Sequence, residues 1–131
     1  MSHGPLSGIS RIVPARCRRC SSYDISGGND DWVKIAPGAT HVLADIKGAG
    51  VIKHMWCTIS SGDPLIRRSL VIRMFWDGQE FPSVEAPIGE FFGQGWGKNY
   101  NFVSLPLAAA PSRGGGIGVL LPHAVWEWSA R

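Results

Sequence analysis

Seventeen glycines and nine prolines interrupt the 131 residues, leaving few stretches long enough for a helix of several turns. Short strands joined by many turns tolerate that punctuation, so the chain reads as all-β. Its length supports one domain at most. With 44% hydrophobic and 18% charged residues, and a mean hydropathy of +0.02, the composition supplies a core and is unlike that of a disordered chain. The net charge of +3 comes largely from Arg11, Arg16, Arg18 and Arg19, so residues 1–20 form a basic lead-in. That arm has no interleaved aromatics and no nucleic-acid-binding motif, so no nucleic-acid partner is expected. No apolar run approaches the ~20 residues of a membrane span, and MSHGPLSGIS lacks the pattern of a signal peptide. Neither membrane attachment nor export is expected; the compartment is otherwise open, with the cytoplasm as default.

The most informative stretch is Leu70 to Gly93, LVIRMFWDGQEFPSVEAPIGEFFG. Leu70, Ile72, Met74 and Trp76 fall on one side and Val71, Arg73 and Phe75 on the other, the period of a strand. Asp77-Gly78 supplies a tight turn, because both residues tolerate positive φ. Gln79 to Val84 then returns as an edge or bulged strand, since Pro82 has no amide hydrogen for a ladder. Two carboxylates follow, Glu85 and Glu90, beside Phe91-Phe92-Gly93. Acids next to aromatic rings on a loop shaped by Pro and Gly suit a sugar site, and equally suit surface acids beside core phenylalanines.

Further strands are expected at Trp32–Ile35, Thr40–Ile46, Val51–Ser60 and Phe102–Leu107, the last with Pro106 marking an edge. Within Val51–Ser60, Ile52, His54, Trp56 and Thr58 share one face; Met55, Cys57 and Ile59 share the other. Leu65–Trp76 is expected to pair antiparallel with that strand. His54 reads as an ordinary hydrogen-bonded histidine rather than an acid or base. Ser21–Asp31, SSYDISGGNDD, is a loop that concentrates the oxygen acceptors of Asp24, Asn29, Asp30 and Asp31. Such a cluster accepts hydrogen bonds from sugar hydroxyls or holds a hard cation, although its spacing is not that of an EF-hand. The same residues also cap their own turns well. Gly93–Asn101, GQGWGKNYN, places Trp96 and Tyr100 on a polar, flexible backbone, the character of a carbohydrate-stacking surface. Cys17 and Cys20 have CxxC spacing, but no second pair completes a four-ligand zinc site. No metal and no cofactor are expected.

Taken in order, SSYDISGGNDD, IKGAGVIKHMWCTIS, RRSLVIRMFWDGQEFPSVEAPIGEFFG and SLPL resemble the N-terminal part of the domain-of-unknown-function family 2961, since grouped as glycoside hydrolase family 172. The resemblance spans about residues 21–107, and it is the mutual spacing of WDG, PSVEAP and FFG that makes it specific. One departure is Glu90, where the family usually has Asp. The resemblance implies a jelly-roll β-sandwich, the first of two rolls in the full protein, and a ring-like homo-oligomer, commonly a trimer. It implies retaining hydrolysis of α-linked fructofuranosides or arabinofuranosides, which requires two carboxyl groups roughly 5 Å apart. In the family those glutamates lie downstream of the matched region, so no residue of this chain is assigned a catalytic role. Asp24, Asn29, Asp30, Glu85, Glu90 and Trp96 are candidates for binding substrate or shaping its pocket. A non-catalytic carbohydrate-binding or assembly module is the alternative, and a purely structural β-domain a third.

Soon after SLPL, family members carry a segment like CYFPMPF, whereas this chain reads VLLPHAVWEWSAR from Val119. Read one nucleotide late, His123 (CAT) into Ala124 gives ATG, Met, and Val125 (GTT) into Trp126 gives TTT, Phe. Trp126 into Glu127 gives GGG, Gly, with no freedom, and Glu127 (GAA) into Trp128 gives AAT, Asn. With permitted codons elsewhere, the shifted frame reads CYFPMPFGNGAR. The expected organisation is therefore a lead-in at 1–20, an incomplete jelly roll at 21–116 and an out-of-frame tail at 117–131. A roll without its later strands keeps unpaired edges and an uncovered apolar face. The chain alone is expected to fold poorly and to be hydrolytically inactive.

Overall fold

The computed structural model describes Ile12, residues 14–104 and 106–110, and the backbone of residues 119–120 and 127–128. Most of the basic lead-in, the Gly-rich stretch at 111–118 and most of the expected tail lie outside the described residues. The chain divides into two units, Met1–Lys47 and Gly48–Arg131.

The described part of the first unit carries no regular secondary structure, and nearly all of it is exposed. The strands expected at Trp32–Ile35 and Thr40–Ile46 do not form. Alternation alone does not make a strand; a ladder partner and a surface to cover are also needed. Here Trp32, Val42 and Leu43 are all exposed, so neither segment has an apolar surface to cover.

The second unit begins with β1 (Gly50–Val51) and continues through a one-turn helix, α1 (Ile66–Ser69), into β2 (Val71–Met74). After β3 (Val84–Pro87) comes a second one-turn helix, α2 (Ile88–Phe91), then a 3-10 turn at Gly95–Gly97. β4 (Phe102–Val103) and β5 (Ala108–Ala109) follow, with β6 (Val119–Leu120) and β7 (Glu127–Trp128) at the end. Among the described residues β2 pairs with β3, β1 with β7, and β4, β5 and β6 form a sheet in that order; every pairing is antiparallel. The secondary structure is thus mostly strand in small antiparallel sheets, as the all-β reading expects.

β2 follows its sequence pattern. Ile72 and Met74 are buried, Arg73 and Phe75 exposed. Asp77 and Gly78 have φ of 50° and 73°, and the Gln79 amide donates to the Trp76 carbonyl at 2.9 Å, closing the expected turn. The return strand starts later than expected, at Val84 instead of Gln79. Its register is Met74 opposite Val84, Arg73 opposite Glu85, Ile72 opposite Ala86 and Val71 opposite Pro87. Pro82 lies in the unpaired approach, consistent with its missing donor.

Three further differences have local causes. In Val51–Ser60 only the first residue pairs in a ladder. Its side-chain alternation survives, because Met55, Cys57 and Ile59 pack against the core while Trp56 stays exposed. Leu65–Trp76 is not one strand pairing with that segment: its first part is α1, where the Leu70 amide donates to the Ile66 carbonyl at 2.9 Å, and β2 pairs with β3. Phe102–Leu107 is not one strand either. The Ser104 amide donates to the Leu107 carbonyl at 2.7 Å, folding the segment back so that β5 pairs with β4. Pro106 therefore belongs to a turn, a position for which its fixed φ suits it.

The core gathers Ile88, Phe92 and Ala109, with Met55, Cys57, Ile59, Leu70, Phe91, Phe102 and Leu107 partly buried around them. Phe92 is only 2% exposed, and Phe91 meets it edge to face at 4.9 Å, a favoured aromatic geometry. The two phenylalanines of the FFG block therefore belong to the core. Gly89 lies flush against its neighbours: a Cβ there would come within 2.9 Å of Arg67 Cβ and of the Gln94 carbonyl oxygen.

Candidate functional site

The acidic loop of the first unit is bound up with itself. The Ser26 hydroxyl and amide donate to Oδ1 of Asp24 at 2.7 and 2.8 Å, and the Asp30 amide donates to Oδ2 at 3.4 Å. The Asp24 amide in turn donates to Oδ1 of Asp31 at 2.7 Å. The bonds donated to its own oxygens, the Ser26 hydroxyl's first and then the Ser26 amide's, hold the Asp24 carboxyl below its ordinary value of 3.8. Asn29 takes a φ of 61°, within the range short polar residues accept. Asp24 thus organises the turn, while Asn29 and Asp30 are exposed on it. No group of three or more His, Cys, Asp or Glu residues among the described residues is arranged to hold a metal ion. Cys17 and Cys20 are exposed and free.

In the second unit, Glu85 sits on the exposed face of the β2–β3 ladder, directly opposite Arg73, and the two form an ion pair. Cross-strand pairs of opposite charge at exposed positions contribute about 0–1 kcal/mol. Glu90 belongs to α2, and its Oε1 lies 3.4 Å from the Arg68 guanidinium. Its other oxygen, Oε2, is buried with no hydrogen-bond partner among the described residues. The pair is half in water, with side chains 54% and 30% exposed.

After Phe92 the chain turns sharply at Gly93, with φ of 78°, and enters the loop that carries Trp96. Gln94 is wholly buried. Its amide donates to the Gly89 carbonyl at 2.7 Å, its Nε2 donates to the Tyr100 carbonyl at 2.9 Å, and its Oε1 accepts from Nε of buried Arg67 at 3.2 Å. The Tyr100 hydroxyl donates to the Gly93 carbonyl at 2.8 Å and accepts from the Gly95 amide at 3.1 Å. Tyr100 therefore closes the loop. Trp96, by contrast, is 81% exposed and has φ of 59°, a conformation that costs a non-glycine residue about 1–3 kcal/mol. An indole held out into water on strained backbone, over a base tied by buried polar groups, offers an apolar ring face with backbone donors and acceptors nearby.

The candidates belong to different elements. Asp24, Asn29 and Asp30 share the loop of the first unit, Glu85 lies on the outer ladder face, and Glu90 and Trp96 belong to consecutive elements of the second unit. His54 is exposed, and burial pushes the Cys57 thiol up to about 11, which leaves it protonated and inert at neutral pH. Sequence reading missed Arg67 and Gln94. The available signals were slight: an Arg-Arg pair just before a strand, and one glutamine between glycines after an apolar pair.

A family model described as GH172 domain-like matches residues 29–111 of this chain, more than half its length. No curated protein matches it. The match takes in β1 to β5, the core and the Trp96 loop, and so all of the second unit's candidate residues.

Proposed function

This chain belongs to the GH172 domain-like family, and on that premise we propose that it is the front part of a carbohydrate-cleaving protein, a retaining hydrolase of α-linked fructofuranosides or arabinofuranosides. The observation that carries the reading is the family match over the residues that build the Trp96 loop. Stacking of a sugar on an exposed indole is favourable because the axial C–H faces of a sugar are apolar while its rim is polar. In this reading Trp96 contacts substrate, and Glu90 with Arg68 offers charge at the edge of the same region. Asp24, Asn29 and Asp30 on the loop of the first unit, and Glu85 on the β2–β3 ladder, remain separate candidates for contacting substrate. The double jelly roll and the trimer implied by the resemblance belong to the same proposal.

We also propose that residues 117–131 are read out of frame, and that the two catalytic glutamates are encoded in the other frame beyond them. The test is hydrolysis of aryl α-fructofuranosides and α-arabinofuranosides by the protein made from the frame-restored gene. Release of the aryl group from one of them, with none from the 131-residue chain, is the expected result. A folded, frame-restored protein that cleaves neither overturns the reading.

The exposure of Trp96 equally favours a second reading, a module that binds sugar and cuts nothing. It differs in one respect: the 131-residue chain should then bind carbohydrate as it stands, and restoring the frame should add no hydrolysis.

A further inference from the structure

We propose that Gln94 and Tyr100 are positioning residues that set the Trp96 loop before any ligand arrives, so that the indole meets a sugar ring on a rigid platform. The inference rests on the carbohydrate reading above and adds the residues through which that site is held.

The geometry is specific. Five polar links fix the loop that carries Trp96. Gln94 supplies three of them, through its backbone amide to Gly89, its Nε2 to Tyr100 and its Oε1 to Arg67. The Tyr100 hydroxyl supplies two more by bridging the Gly93 carbonyl and the Gly95 amide. Gln94 is fully buried, so its amide is committed to protein partners and not to water. None of these bonds involves the indole, which stays outside at a positive φ. A loop closed in this way has already given up its conformational freedom, and binding then costs less than ordering a mobile loop would. A purely structural network would have no reason to end on an exposed tryptophan in a left-handed conformation.

The test uses the frame-restored protein and two variants of it. Tyr100→Phe removes only the bridging hydroxyl and keeps the ring against Phe102, 5.9 Å away. Gln94→Met keeps the length and burial but removes the amide. Amide hydrogen exchange is followed at Gly95 and, as an internal reference, at Ile72 in β2. Binding of a non-hydrolysable, sulfur-linked α-arabinofuranosyl disaccharide is followed by calorimetry, with Trp96→Ala as the binding control. In the parent chain Gly95 should be protected at least about tenfold over the free-peptide rate. In both variants that protection should fall while Ile72 is unchanged, and sugar affinity should weaken about fivefold or more.

Unprotected Gly95 in the parent chain overturns the proposal, and so does Gly95 exchange that neither variant alters. Protection that responds to both variants in a chain whose sugar binding does not depend on Trp96 overturns the carbohydrate role while leaving the held loop in place. The two failures are thus distinguishable.

Discussion

Trp96 combines the two features that folding normally avoids, a large apolar side chain in water and a positive φ outside glycine. Replacing it by glycine relieves the second and removes the first, so Trp96→Gly is expected to leave stability unchanged or raise it by about 1 kcal/mol. The urea midpoint measures this; a loss beyond about 1 kcal/mol would mean that the indole packs on the protein. Glu90 presents the reverse case, a polar group short of a partner. Its buried Oε2 is the kind of group whose desolvation costs about 1–3 kcal/mol, and its half-exposed pairing with Arg68 returns about 0–1 kcal/mol at most. Asp24 is the residue whose chemistry depends on pH. Its carboxyl is held below 3.8 by the Ser26 hydroxyl and amide, so the folded loop favours the charged form. The stabilisation is present above about pH 4 and is lost as pH falls through the lowered value. The Ser26 amide resonance should therefore titrate below pH 3.8, and Asp24→Asn should abolish that titration.

At the scale of elements, α1, α2 and the Trp96 loop meet at Gly89, and no side chain fits there. Gly89→Ala would push a methyl to 2.9 Å from Arg67 Cβ and the Gln94 carbonyl oxygen. The expected cost is about 1–3 kcal/mol, read as a lowered melting temperature; a neutral substitution would mean that α1 and α2 are not packed as described. These elements also show what can be read from a sequence. Period-2 alternation grouped the side chains that share a face in β2 and in the 51–60 segment, because successive side chains point to opposite sides; which face turns inward it left open. It did not say whether a ladder forms, since pairing depends on a neighbour elsewhere in the chain. Hence Thr40–Ile46, which alternates too, is not a strand, and neither is the short apolar stretch Trp32–Ile35. Asp77-Gly78 was legible as a turn because its chemistry is local, whereas Pro106 suited an edge strand and a turn equally, and only its neighbours decided. In the candidate site, Trp96 stood out by its glycine-rich setting. Gln94 did not, because its role consists entirely of partners at a distance: Arg67, Tyr100 and Gly89.

At the scale of the molecule, a small core around Ile88, Phe92 and Ala109 coexists with exposed apolar side chains such as Trp56, Phe81, Leu43 and Val42. Each large apolar group left in water forgoes about 1.5–3 kcal/mol, against a net stability of about 5–15 kcal/mol for an ordinary domain. This balance fits the proposal that the β-sandwich is completed by strands encoded in another frame. Strand pairing by backbone alone does not argue against it, since β6 and β7 need only main-chain groups at residues 119–120 and 127–128 to pair as they do. The most direct test is the nucleotide sequence of codons 119 to 131. It is expected to read CYFPMPFGNGAR one nucleotide late, with ATG across His123 and Ala124 and TTT across Val125 and Trp126. Codons at those junctions that spell any other residues would contradict the proposal.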